Sequence, residues 1–98
     1  SMKAILIVFN VAHSERIDYV LSQLSIRGYS WLENVKGSGS NTGEPHMGTH
    51  TWPEINSAVI TIVDDDKVEA LLDKVRKIDA INEEVGIRAF VWDILKTV

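Results

Sequence analysis

Two strand–helix–strand patterns dominate the chain, one on each side of a segment that shows neither helical nor strand periodicity. In the first half, the nearly continuous apolar run 3–11 precedes a helical stripe, and the aromatic and β-branched stretch 29–35 follows it. The stripe recurs at i, i+3, i+4 and i+7 through Ile17, Val20, Leu21 and Leu24. Runs and stripes of these periods are typical of buried strands and amphipathic helices. The first half therefore predicts β-α-β.

The second half repeats the pattern. The β-branched stretch 55–63 predicts a strand, and the stretch 86–94 predicts another. Between them lies a second helical stripe, formed by Val68, Leu71, Leu72, Val75 and Ile78. Two β-α-β halves joined antiparallel predict an α+β, ferredoxin-like βαββαβ fold, with a four-stranded antiparallel sheet and both helices on one face.

Residues near the predicted helix ends indicate where each helix begins and stops. We expect Ser14 to cap the first helix, because a serine hydroxyl accepts hydrogen bonds from free backbone N–H groups. Arg27 and Gly28 are expected to close that helix. Asp66 and Glu69 have the spacing of a capping box at the start of the second helix.

The segment 37–53 between the second and third strands is expected to be a long loop. It contains four of the six glycines, both prolines and two of the three histidines. Loops of this length are uncommon in compact domains and usually either carry function or are disordered.

Composition narrows the class of protein. The 98 residues are expected to form one domain, 1–98, in which Ser1 ahead of Met2 is interpreted as a cloning scar. A net charge of −4 argues against a nucleic-acid partner. No window approaches the ~20 apolar residues that span a bilayer, so direct membrane insertion is not expected. The absence of cysteine fits a reducing compartment and predicts a cytoplasmic location.

The helix-free face of the predicted sheet is expected to be apolar. Phe90, Trp92 and alternate residues of the first strand would face outward there. A patch of this kind predicts an oligomer. Trp31 is likewise expected in the core or at a subunit interface, and Trp52 is expected to anchor the return of the loop to the sheet.

The stretch 28–39 resembles the PII signal-transduction proteins, in which a glycine and a strand lead from the first helix into a G-x-G turn. Here that turn is Gly37-Ser38-Gly39, and the counterpart of the family's large T-loop is about 37–53. The second half resembles the family in element order and spacing as well. The resemblance implies a homotrimer that binds small ligands between subunits. It also implies a T-loop that reports ligand state to a protein partner, such as a membrane transporter or a regulated enzyme.

The resemblance assigns ligand contacts to both halves of the chain. In PII proteins Arg-Gln follows the G-x-G turn, and a Gly-Asp-Gly-Lys turn precedes the fourth strand. The matching ligand-binding positions here are Gly37, Ser38, Gly39, Ser40, Asn41 and Arg88. Only Arg88 among them is charged. Because a triphosphate needs several donors and cations around it, ATP and ADP are ranked as the less favoured ligands.

The loop also carries transition-metal ligands. His46 and His50 are four residues apart, with Met47 between them and carboxylates at Glu44 and Glu54. Imidazole suits Zn and Cu, and a thioether favours Cu(I). A Zn or Cu ion is therefore the favoured ligand. The competing interpretation is that both imidazoles are solvated or hydrogen-bonded within the loop.

The predicted function is that of a PII-like sensor, which binds a small ligand at or near the T-loop and the subunit interface and signals to a partner. The alternatives are an adenine-nucleotide-binding PII-type regulator and a ligand-independent interaction module. An enzyme is not expected, because no nucleophile–base pair with an orienting carboxylate is evident. His13 is expected to be a local staple or surface residue rather than a third metal ligand.

Overall fold

The computed structural model describes residues 1–36 and 55–98, which form four strands and two α-helices around one apolar core. The elements in chain order are β1 (Met2–Asn10), a 3₁₀ turn (Val11–His13), α1 (Ser14–Gln23), β2 (Tyr29–Val35), β3 (Asn56–Asp64), α2 (Asp65–Ile81) and β4 (Ile87–Asp93). This order confirms the predicted βαββαβ fold. The predicted loop 37–53 lies outside the described residues.

The sheet has the strand order β2-β3-β1-β4, and each neighbouring pair is antiparallel. β1 is central, and Ile7 on it lies opposite Val59 of β3 on one side and Ala89 of β4 on the other. β1 is also the most continuous apolar run of the chain. This composition suits a strand with neighbours on both edges.

The core lies between the helices and one face of the sheet. Alternate residues of β1, namely Ile5, Ile7 and Phe9, are at most 1% exposed. The predicted stripes of both helices contribute the facing layer through Ile17, Val20, Leu21, Val68, Leu71, Val75 and Ile78. Trp31 packs against this core from β2, with its ring edge-on to Phe9 at a centroid distance of 5.4 Å. Trp31 is therefore a core residue, one of its two predicted placements.

The opposite face of the sheet carries the apolar patch expected from the sequence. Phe90 and Trp92 are 49% and 44% exposed there. Neighbouring strands add further exposed apolar side chains to the same face: Met2, Leu32, Ile60 and Ile62. We call this surface the open face.

The predicted N-terminal cap of α1 is wrong. Ser14 has helical backbone angles, φ −56° and ψ −45°, because the 3₁₀ turn starts the helical stretch three residues earlier. Asn10 caps that stretch instead. Its backbone is extended, and its side-chain Oδ1 accepts a hydrogen bond from the Ala12 N–H at 2.9 Å.

The predicted C-terminus of α1 is also wrong, since the helix stops before Arg27 and Gly28. Ser25 takes the left-handed conformation, with φ 58°, and the Ile26 N–H donates to the Leu21 carbonyl at 2.8 Å. This is the bond pattern of a Schellman ending. The Lys67 ammonium donates to the Leu24 carbonyl at 2.7 Å, so a residue on α2 completes the cap.

The capping box predicted for α2 does not form. α2 begins at Asp65, so Asp66 lies inside the first turn, and the N-cap Asp64 makes no side-chain capping bond. The Asp65 N–H donates to the Ser1 carbonyl at 3.1 Å instead. A backbone carbonyl next to β1 thus satisfies one N–H at the start of α2.

An ion-pair network joins this end of α2 to both neighbouring strands. The Lys3 ammonium lies 3.0 Å from Asp65 Oδ1 and 2.7 Å from Asp93 Oδ1. Hydrogen bonds to Asp93 and then to Asp65 raise the pKa of Lys3 above its usual 10.5. The hydrogen bond from Lys3 lowers the pKa of Asp65 below 3.8. Because both carboxylates are exposed and Lys3 is only half-buried, the effect of these pairs on stability is small.

The acid dependence of stability tests this network. A lowered carboxyl pKa stabilises the fold above pH 3.8, and this contribution is lost as pH falls through the folded-state pKa. We expect Asp65→Asn to give a shallower fall in melting temperature between pH 4 and pH 2 than the unsubstituted chain. Asp66→Asn, in the same helical turn but without a Lys3 contact among the ion pairs found, is the control and should change the slope less than Asp65→Asn does. Equal slopes for all three proteins would contradict the network.

Candidate functional site

The upper edge of the sheet is where the segment between β2 and β3 leaves and returns. We define this edge by the last residues of β1 and β2 and the first residues of β3 and β4. The Asn10 N–H donates to the Gly86 carbonyl, and the Val11 N–H donates to the Ile55 carbonyl, both at 2.9 Å. The end of β1 therefore fixes the entry of β3 and the entry of β4 relative to each other.

A β-bulge redirects the chain at the end of β2. Leu32 lies opposite Ala58 and Val35 lies opposite Asn56, so β2 carries one residue more than β3 over this interval. Asn34 takes up the extra residue with φ 60°, a conformation that asparagine tolerates better than most residues. The bulge places Val35 on the same face as Leu32 and leads into the exposed Lys36.

Arg88 is exposed on β4, next to the upper edge. It lies opposite Val8 and so projects from the open face. β4 and β2 are the two edge strands, and β3 and β1 separate them. Three strand spacings place these two edge strands about 14 Å apart. Within one chain, the ladder therefore does not bring Arg88 next to the end of β2.

The remaining predicted site residues lie outside the described residues. They are the ligand positions Gly37, Ser38, Gly39, Ser40 and Asn41 and the metal positions Glu44, His46, Met47 and His50. Trp52 lies there too. Their assignments stay predictions.

The turn between α2 and β4, residues 82–86, contains hydrogen bonds to Asn82 and carries negative charge. Asn82 Oδ1 accepts from the Glu84 N–H at 3.0 Å, and the Asn82 carbonyl accepts from the Val85 N–H at 2.9 Å. Glu83 and Glu84 are exposed. These two carboxylates would repel a phosphate beside this turn, whereas the Arg88 guanidinium would attract it. The charge of a ligand therefore affects how strongly it can bind to Arg88.

His13 is the functional candidate that the sequence did not identify. The sequence predicts a local staple or a surface residue, and the surface placement is wrong, because His13 is only 2% exposed. Its Nε2 lies 3.1 Å from the carbonyl oxygen of Val85, in the turn before Arg88. The two residues are 72 positions apart. No local pattern could have connected them, although a histidine between a strand and a helix was visible.

Two open clefts lie at the end of the strands away from the upper edge, beside the end of α1. One, of about 330 Å³, is lined by Asp18, Ser22, Ser25, Ile26, Arg27 and Tyr29. The other, of about 220 Å³, is lined by Met2, Ser25, Ile26, Arg27, Gly28, Ile62, Val63, Asp64 and Lys67. Arg27 borders both and is exposed, whereas the Lys67 ammonium is engaged by backbone carbonyls of the α1 ending.

Two further properties of the described residues bear on ligands and membranes. Within 1–36 and 55–98, no three histidine, aspartate or glutamate side chains are arranged to hold a metal ion. None of the helices in these two ranges is long and apolar enough to cross a bilayer.

The comparisons with known proteins extend over almost the whole chain. The model of the family described as nitrogen regulatory protein P-II matches residues 2–98. No curated protein sequence shows a significant match.

Solved structures share the fold over nearly the same length. CPII from Thiomonas intermedia K12, bound to ADP, AMP and acetate, is 26% identical with a TM-score of 0.75, over 95% of this chain and 85% of that one. CPII bound to ADP and bicarbonate is 25% identical with a TM-score of 0.72, over the same shares of both chains. A putative PII-like signaling protein from Thermus thermophilus is 19% identical with a TM-score of 0.65, over 93% of this chain and 83% of that one. The last likeness concerns the fold alone.

Proposed function

The chain belongs to the P-II family of nitrogen regulatory proteins, and we propose that it is a regulator that binds an adenine nucleotide such as ADP and signals its presence to a partner protein. The observation that carries this proposal is the similarity to CPII, which has been solved with ADP bound. The proposal makes the protein a regulator rather than an enzyme. A cytoplasmic location is part of it and depends on the absence of cysteine.

From the sequence, metal ions ranked above nucleotides as ligands, because too few cations remained to bind a triphosphate. We now rank an adenine nucleotide above a metal ion. ADP carries less charge than ATP and needs fewer cations. Arg88 is exposed beside the upper edge and is available to a phosphate, and Lys36 is exposed at the end of β2. A small carboxylate-like anion, such as the acetate or bicarbonate bound to CPII, is a second ligand of suitable charge for an exposed guanidinium.

We also propose that the protein forms a homotrimer. The open face supports it, because exposed apolar side chains from β1 to β4 form one surface there and burying them against other subunits would remove them from water. Arg88 projects from this face. A ligand that meets Arg88 would therefore lie near a subunit boundary, consistent with the separation of Arg88 from the end of β2 within one chain.

The second candidate function is the sensing of a transition-metal ion bound by the loop. The specific observation in its favour is the spacing of His46 and His50 with Met47 and Glu44 close by. In this version the loop binds Zn or Cu and reports metal state to a partner such as a membrane transporter. A loop that contacts its partner without any small ligand is the remaining alternative.

Nucleotide binding is tested by calorimetry of the whole chain with ADP and AMP, with and without bicarbonate. We expect ADP to bind and Arg88→Ala to weaken it roughly tenfold or more, since a lost charge-assisted hydrogen bond is worth about 1.5–3 kcal/mol. Arg76→Ala removes the same charge from the exposed side of α2 and should bind ADP as the unsubstituted chain does. Absence of ADP binding in the unsubstituted chain would reject the nucleotide proposal.

Light scattering tests the trimer. We expect a mass of about three times the 11.0 kDa of the chain. Phe90→Glu places a charge on the open face and should lower this mass, because burying an unpaired carboxylate is costly. Tyr19→Glu, on the exposed surface of α1, is the matched control and should leave the mass unchanged. A monomeric unsubstituted chain, or a trimer indifferent to Phe90→Glu, would contradict the proposed assembly.

Metal titration decides the second candidate. Metal-free protein is titrated with Zn²⁺ in air and with Cu⁺ under anaerobic conditions, beside the double variant His46→Ala/His50→Ala. The metal hypothesis expects binding that the double substitution abolishes, with ADP affinity measured in parallel to check the fold. Equal binding by both proteins would assign the metal to other residues and reject this loop site.

A further inference from the structure

We propose that His13 is a positioning residue for the candidate ligand site. From the junction of β1 and α1, its imidazole holds the turn 82–86 in the conformation that presents Arg88. The role of Arg88 in this statement rests on the proposed function. The contact between His13 and the turn does not.

The hydrogen bond determines the tautomer of His13. A carbonyl oxygen only accepts, so the contact of 3.1 Å with the Val85 carbonyl requires the proton on Nε2. Nδ1 is then an acceptor. It is buried, and no donor among the described residues reaches it. In this tautomer the imidazole makes one hydrogen bond within the described residues, and its Nδ1 has no partner among them.

The unpaired nitrogen argues that packing alone does not account for a histidine at this position. A buried polar atom without a partner is unfavourable, and an aliphatic side chain would fill the space without that cost. What the imidazole adds is the bond to Val85. This bond joins the end of the first strand to a turn 72 residues later.

The His13 contact continues a series of links between β1 and the start of β4. The ladder ends with Phe9 opposite Ile87, and the next link is the Asn10 N–H to the Gly86 carbonyl. The His13 imidazole then reaches Val85, one residue farther from the sheet. Beyond Val85, the hydrogen bonds found in the described part of the turn are internal and end on Asn82. Among the hydrogen bonds of residues 1–36 and 55–98, the His13 bond is therefore the outermost one that joins this turn to another element.

The position of His13 also links the turn to α1. His13 directly precedes Ser14, the first residue of α1, and it lies in the 3₁₀ turn capped by Asn10. A shift of this junction would move the carbonyl anchor at Val85, which lies three residues before Arg88 and just outside the ladder that holds Ile87 and Arg88. His13 thereby links the turn before Arg88 to the start of α1.

Hydrogen exchange tests the contact without any ligand. We expect His13→Leu to increase exchange of the amides of 83–87 several-fold, while His13→Gln, whose amide nitrogen can donate to Val85, restores part of the protection. Val20→Ala is the control: it opens the core beneath α1 and lowers the melting temperature without touching the turn. Unchanged exchange in His13→Leu, or the same increase in Val20→Ala, would overturn the proposal.

Nitrogen NMR of the unsubstituted chain gives a direct readout of the His13 tautomer. The His13 ring, identified by the loss of its signals in His13→Leu or His13→Gln, should carry its proton on Nε2 at neutral pH. A proton on Nδ1 alone would exclude the bond to Val85 and overturn the proposal.

ADP affinity then connects the contact to the site. We expect His13→Leu to weaken ADP binding roughly three- to tenfold, and His13→Gln to recover part of the loss, whereas Val20→Ala binds normally below its melting temperature. If the unsubstituted chain binds no ADP, the nucleotide proposal fails while the exchange experiment still decides the contact. If ADP binds equally to all variants, the positioning role is rejected and the nucleotide proposal survives.

Discussion

The pairing of β1 with both β3 and β4 is the constraint on which the rest of the structure depends. It places one strand at the centre of the sheet and gives each half of the chain a neighbour from the other half. The two helices then cover the same face, because each β-α-β crossover has the same hand. At the upper edge, backbone bonds from Asn10 and Val11 extend this pairing to the entries of β4 and β3. The candidate site lies at the upper edge, beside the first residues of β3 and β4.

The same arrangement leaves a single chain incomplete in two respects. Neither helix of the described part of the chain covers the open face, although Phe90, Trp92 and their neighbours there are apolar. In addition, β4 and β2 are opposite edges of the sheet, so Arg88 and the chain leaving Val35 are separated. Both features have one consequence in the proposed trimer, where association buries the open face and places Arg88 beside a subunit boundary. Assembly and ligand binding would then share a surface.

Polar contacts between distant segments complete the ends of the elements. Lys67 on α2 caps the end of α1, and Lys3 on β1 joins the start of α2 to the end of β4. His13 performs the corresponding role at the upper edge by reaching the turn before β4. The difference lies in burial: the carboxylates that pair with Lys3 are exposed and these pairs are weakly stabilising, whereas the His13 imidazole is buried and its bond to Val85 is part-buried. A bond with less access to water is better suited to fixing the geometry of a binding turn.

The sequence by itself determined the fold and its order of elements, because apolar periodicity depends on the local backbone and is repeated over many residues. The stripes of α1 and α2 and the apolar run of β1 needed no partner to be recognised. The helix caps at Ser14, Gly28 and Asp66 were wrong, since Asn10, Lys67 and Ser1 supply or replace the capping bonds. Of the candidate site, Arg88 was visible in the sequence, as were the loop positions that remain predictions. Only the tertiary structure decided that Arg88 and β2 lie on opposite edges and that His13 is buried against Val85. Burial and hydrogen bonding depend on which distant segments the fold brings together, and local periodicity does not encode those contacts.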